Sequence, residues 1–143
     1  MVKTSLVERD IAEGRRFLQA LRRPAVISLG RRKIVDLPAS HFRVRAAFWL
    51  YLPESHEWRL IVATPRVDEK GPLETYREIR AVLAANLDLN LSLQNISVVS
   101  PKDPLVKAFQ DALKLAPDPE GVRFTRNTMD GKYVEDSYVY RLS

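Results

Sequence analysis

The sequence predicts an α+β fold: one two-layer sandwich in which a mixed or antiparallel sheet packs against helices. Three observations carry that expectation. Residues 42–52 alternate, with Phe42, Val44, Ala46, Phe48, Leu50 and Leu52 on one side and Arg43, Arg45, Ala47, Trp49 and Tyr51 on the other. That is the period-two pattern of a half-buried strand. Three other stretches space their apolar residues as amphipathic helices do. Near the C-terminus Asp130-Gly131 separates two strand-like runs, a strong signal for a tight hairpin. The sheet is expected to be built from hairpins 42–64 and 122–142, with helices over 6–22, 73–86 and 104–115. With 143 residues and no linker long enough to divide them, residues 1–143 are expected to form a single domain.

The first helix opens on Ser5-Leu6-Val7-Glu8, which has the spacing of a capping box. Val7, Ile11, Gly14, Leu18 and Leu21 recur at helical spacing, and Pro24 ends the run. Arg9, Arg16 and Arg23 share the outer face with Glu8 and Glu13 between them, as on a solvated surface. Residues 25–29 and 34–37 are short apolar runs around Gly30-Arg31-Arg32-Lys33. They fit a small hairpin with a basic tip, and equally two irregular segments packed on the core. The alternating strand 42–52 is joined to a second run, 58–64, by the polar loop 53–57, short enough for a hairpin.

Residues 65–72 read as a loop ending in Pro72, which suits the first position of a helix. Leu73, Tyr76, Ile79, Val82, Leu83 and Leu87 supply that helix with its stripe. Residues 87–93 alternate but are rich in Asn and Asp, so they read as loop or ragged strand; 95–100 read as a strand. Asp103-Pro104 pairs an N-cap with a proline at the first helical position. Leu105, Val106, Phe109, Ala112 and Leu113 complete the third helix, and 116–121 are rich in helix breakers. A two-residue turn then sets the register of the last hairpin. Met129 faces Lys132, Thr128 faces Tyr133, Asn127 faces Val134, Arg126 faces Glu135, Thr125 faces Asp136 and Arg123 faces Tyr138.

Composition narrows the class. Apolar residues make up 45% of the chain, enough for one core, and the mean hydropathy of -0.23 fits a soluble protein. No window approaches the ~18 apolar residues of a membrane span, so no membrane partner is expected. The first ten residues lack the apolar region of a secretory signal, and a cytoplasmic location is the expectation. The absence of cysteine removes disulfides, thiolate metal sites and thiol nucleophiles. A net charge of +5 and a pI near 9.7 favour a polyanionic partner, although a solvated surface explains them as well.

No motif names a reaction. The two histidines, His41 and His56, fall in expected polar loops without a partner at ligand spacing. Both read as surface residues, so replacing both by Ala should leave the folded protein unchanged. Phosphate-loop, dinucleotide and nucleophile-elbow patterns are missing. Asp68-Glu69-Lys70 has the order of half a metal-dependent nuclease signature, in which a carboxylate holds the ion and a lysine steadies the attacking water. The nearest second acid is Glu57. Glu135 and Asp136 point to opposite faces of a strand and read as cross-strand partners of basic residues in 122–129. No cofactor and no metal site are expected.

Candidate binding residues form two sets. Trp49 and Tyr51, with Arg43 and Arg45, lie on one face of the main strand, where an aromatic surface flanked by arginines can stack bases or centre an interface. If a helix covers that face, Trp49 is a core residue. Arg31, Arg32 and Lys33 make the second set.

The run Ala47-Phe48-Trp49-Leu50-Tyr51-Leu52-Pro53-Glu54, with Glu57-Trp58-Arg59-Leu60 and Asp68-Glu69-Lys70-Gly71-Pro72, resembles a set of small bacterial proteins of unassigned function. The ending Glu135-Asp136-Ser137-Tyr138-Val139-Tyr140-Arg141-Leu142 resembles theirs too, and 24–41 fits least well. The resemblance implies no activity and transfers no site. Three functional readings follow, in order. The first is a non-catalytic interaction module, binding a protein partner or a second copy of itself through the Trp49 and Tyr51 face. The second is a nucleic-acid-associated protein using Arg31, Arg32, Lys33, Arg43 and Arg45. The last is a metal-dependent nuclease.

Overall fold

The computed structural model describes residues 5–129 and 131–142. Helix α1 spans Glu8–Leu21, strands β1 and β2 Ala25–Ser28 and Ile34–Leu37, and β3 and β4 Ala46–Leu52 and Glu57–Ala63. A five-residue helix α2, Arg66–Lys70, leads into α3, Pro72–Ala85. Then come β5, Ile96–Val99; α4, Pro104–Lys114; and β6 and β7, Gly121–Met129 and Lys132–Tyr140. The main sheet is mixed, in the order β5-β4-β3-β7-β6, and β1 and β2 form a separate two-stranded ribbon. This is the expected α+β class, with a sheet packed against helices. No helix among the described residues is long and apolar enough to cross a membrane.

The mixed character comes from β5, which runs parallel to β4. Parallel neighbours need a crossover of a dozen or more residues, and α2 with α3 supplies it. The helices are not confined to one side of the sheet. Phe17, Leu18 and Leu21 of α1 and Ile79 and Val82 of α3 share a core with Trp49, Leu60 and Val62. Val106 and Phe109 of α4 share the opposite core with Phe48, Ile61 and Ala63. Phe48 and Phe109 meet with ring centroids 4.6 Å apart. Burying a side chain such as Phe17 or Phe109 contributes about 1.5–3 kcal/mol, so both faces of the alternating strand stabilise the fold.

Several boundaries differ from expectation for local reasons. Helix α1 starts at Glu8, two residues late, because the Asp10 carboxylate accepts from the Val7 N–H at 2.9 Å. Strand β3 starts at Ala46 rather than 42, since Arg43 has φ +46 and the Thr64 hydroxyl donates to the Phe42 carbonyl. The expected loop 65–72 contains α2, which Gly71 ends at φ +86. Other expectations hold. The Asp103 side chain caps α4 by accepting from the Leu105 N–H at 2.9 Å. The β6–β7 register runs from Met129 opposite Lys132 to Gly121 opposite Tyr140 with no slip. Asp130 lies outside the described residues; Gly131 has the φ of +76 that this turn requires. Arg126 stays in register with Glu135 but has φ +52 and no ladder partner. The ion pair forms diagonally instead, with Arg123 gripping Asp136 at 2.9 and 2.7 Å.

Candidate functional site

The ribbon begins where Pro24 ends the first helical segment and Ala25-Val26-Ile27-Ser28 turns β-rich. Its loop closes through Leu29 N–H to the Lys33 carbonyl at 2.9 Å, with Gly30 at φ +114 and Arg32 at φ +59. One face points inward, with Ile27 and Leu37 buried in the core. The other carries Val26, 62% exposed, Ile34, 72% exposed, Ser28 and Asp36. Val26 sits opposite Asp36 and Ser28 opposite Ile34. The open choice for 25–37 is therefore resolved as a hairpin, and its tip, Arg31-Arg32-Lys33, is exposed.

Helix α3 adds two cations that the sequence reading missed. Arg77 donates to the Leu29 carbonyl at 3.3 Å. Arg77 and Arg80 line a concavity of about 360 Å³ with Ser28, Leu29 and Gly30. Glu74 pairs with Arg77 at 3.3 Å, whereas Arg80, Arg31, Arg32 and Lys33 make no ion pair among the described residues. Unpaired cations on one surface raise its local potential and draw anions to it. Their spacing, Arg77 and Arg80 one turn apart on the outer face, was the available signal. It stays hidden when the apolar stripe alone places the helix.

The other candidate residues are dispersed. Trp49 is only 4% exposed, enclosed by α1 and the sheet, and its Nε1–H donates to the Tyr140 hydroxyl at 2.8 Å. The aromatic face, whose exposure the sequence left open, is thus covered, because α1 lays Gly14 directly on it, and Trp49 cannot centre an interface. Tyr51 sits beside Trp58 with ring centroids 5.4 Å apart, in a groove with Leu50, Leu52 and Tyr133. Arg43 is paired with Glu69. Arg45 borders a separate groove near Lys114 and Arg141. Of the basic set expected from the sequence, only Arg31, Arg32 and Lys33 stay together.

His41 is not the free surface residue expected. Phe42 is buried beside it, and the His41 Nε2 lies 3.0 Å from a carboxylate oxygen of Glu78, which is only 3% exposed. Arg66 grips both oxygens of the same carboxylate at 2.9 and 2.8 Å. The hydrogen bond to Glu78 chiefly holds the Arg66 pKa above its ordinary value. The cluster ties segment 38–45 to α2 and α3. His56, by contrast, is exposed and, among the described residues, pairs with the Tyr51 hydroxyl at 3.3 Å. His41→Ala is therefore expected to cost about 1–3 kcal/mol, because it removes a largely buried ring lying against Phe42 and the Glu78 carboxylate. His56→Ala should cost less than about 1 kcal/mol. Urea unfolding of the two single variants checks the difference.

Two other places gather acidic side chains. A cleft of about 400 Å³ lies between α1 and the β3–β4 turn, with Trp58 in its wall. Its carboxylates are engaged: Asp10 by the Val7 N–H, Glu13 by Arg16 and the Asn90 N–H, Glu57 by Arg59. The acid–acid–lysine trio lies in α2, with Asp68 accepting from Ser100 at 2.9 Å. Glu57 begins β4 and α2 follows its far end, so the fold does not bring Glu57 to the trio. Comparison with protein-family models, curated proteins and solved structures finds no match, so any functional reading rests on this chain's own geometry.

Proposed function

We propose that this protein is a binding module for a nucleic acid, engaged through the tip of the β1–β2 ribbon and the adjoining face of α3. One observation carries the reading: Arg31, Arg32 and Lys33 project from an exposed turn beside Arg77 and Arg80. Two cations lining a shallow concavity, with three more on the turn that follows Gly30, suit a row of phosphates, since backbone neutralisation supplies most non-specific affinity. The excess of basic residues over acidic ones, 23 against 18, adds long-range attraction. A protein partner on the Trp49 face, the first reading from the sequence, loses its central residue to the core and keeps only Tyr51 at a surface.

Retention on heparin or immobilised DNA across a salt gradient tests this. The wild type is expected to elute late, with log affinity falling linearly with log salt. Replacing Arg31, Arg32 and Lys33 by Ala should lower that slope by about 3, roughly one for each phosphate that is no longer neutralised. Unchanged elution of the triple variant would remove the ribbon from the site.

A further inference from the structure

The outer face of the ribbon has a composition that a purely electrostatic patch does not need. Val26 and Asp36 face one another, and Ser28 faces Ile34. The two aliphatic side chains thus sit on a diagonal, both largely exposed. Cations border this four-residue grid: the exposed Arg31–Lys33 turn at one end, exposed Arg22 and Arg23 just before β1 at the other, and Arg77 and Arg80 at the side. A small grid of aliphatic, hydroxyl and carboxylate groups inside a basic rim divides the work of recognition. The rim positions on phosphates; the grid meets base edges.

We infer that the nucleic acid is double-stranded DNA and that the outer face of the ribbon lies in its major groove. This rests on the nucleic-acid reading above. The major groove of B-form DNA, about 12 Å wide, admits a two-stranded β-ribbon. There Val26 and Ile34 match the thymine methyl, Ser28 can donate or accept, and Asp36 accepts from the cytosine amino group. Single strands fit less well. Their non-specific binders stack bases on exposed aromatic rings, and the ribbon and α3 surface offers none. Tyr133, a largely exposed aromatic residue, borders a different groove. Duplex RNA fits less well because its major groove is too deep and narrow for side chains to read.

The test uses the full chain over one series of salt concentrations, with anionic phosphatidylserine vesicles as a comparison surface and four nucleic-acid probes. These are a mixed-sequence DNA duplex, its single strand, the RNA duplex, and the DNA duplex with every thymine replaced by uracil, which deletes only the methyl groups. The DNA duplex is expected to bind at least about tenfold tighter than the single strand or the RNA duplex. Uracil substitution should weaken binding about threefold or more. Val26→Ser with Ile34→Ser should abolish the uracil effect while leaving the salt slope unchanged. Both residues are exposed, so the double variant should remain folded. Equal, steeply salt-dependent binding of all probes would overturn groove reading but keep nucleic-acid binding. Failure of every probe to bind would overturn both. Tighter binding to anionic phosphatidylserine vesicles than to the duplex would place the patch on a membrane surface and overturn this inference.

Discussion

Gly14→Ala is expected to destabilise the protein by about 3 kcal/mol or more, although the helix scale favours alanine over glycine by about 1 kcal/mol. A methyl group at this position would overlap the Tyr140 hydroxyl and stand 2.9 Å from Trp49 Nε1. Overpacking of a core costs about 1–3 kcal/mol. Displacing the Tyr140 hydroxyl breaks two bonds as well, since it donates to the Ile11 carbonyl at 2.7 Å and accepts from Trp49. Each buried group left unpaired adds about 1–3 kcal/mol. Burial also holds the Tyr140 hydroxyl in its neutral form, its pKa raised well above the usual tyrosine value. Tyr140→Phe removes the overlapping oxygen, so the double variant should be less destabilised than the sum of the two single changes. Denaturant midpoints of the three variants decide it. A Gly14→Ala protein as stable as wild type would show that α1 does not rest on the Trp49–Tyr140 pair.

Glu78→Ala is the second large effect, about 3–5 kcal/mol at neutral pH, because it strands Arg66 and His41 beside a nearly buried position. Replacing Arg66 by Met and Glu78 by Leu together should cost less than Glu78→Ala alone, since no charge is then left unpaired. The effect carries a pH signature. Burial, the largest single influence on Glu78, raises its pKa, but the hydrogen bonds and charges of Arg66 and His41 outweigh it and the net shift is downward. A carboxylate with a lowered folded pKa stabilises above its unfolded value of about 4.3 and loses that contribution as pH falls through the folded pKa. The stability gap between wild type and Glu78→Gln should therefore be widest near neutrality and narrow below about pH 4. A gap independent of pH would mean that Glu78 is not ionised in the fold.

Much of the architecture was legible because it depends on periodicity and caps. The alternation through Phe48, Trp49 and Leu50, the Asp103-Pro104 start of α4 and the Gly131 turn each act within a few residues. What was not legible depends on contacts distant in the chain. Alternation places Trp49 on the face opposite Phe48, yet only the approach of Gly14 makes that face interior. Glu78 falls beside Ile79 on the apolar stripe of α3, but a lone charge there has no visible partner until Arg66 and His41 come round to it. The same holds for the candidate site. The Arg31–Lys33 cluster is contiguous and could be read directly, whereas Arg77 and Arg80 join it only through the packing of α3 on β1.

The proposed function depends on where the binding surface lies, and backbone amide shift mapping during titration with a DNA duplex locates it. Perturbed amides are expected to cluster in 22–36 and 77–84, the ribbon, its flanks and the adjoining turn of α3. Perturbations centred instead on the cleft around Glu57 and Trp58, or on the groove around Tyr133, would place the surface elsewhere and refute the proposal.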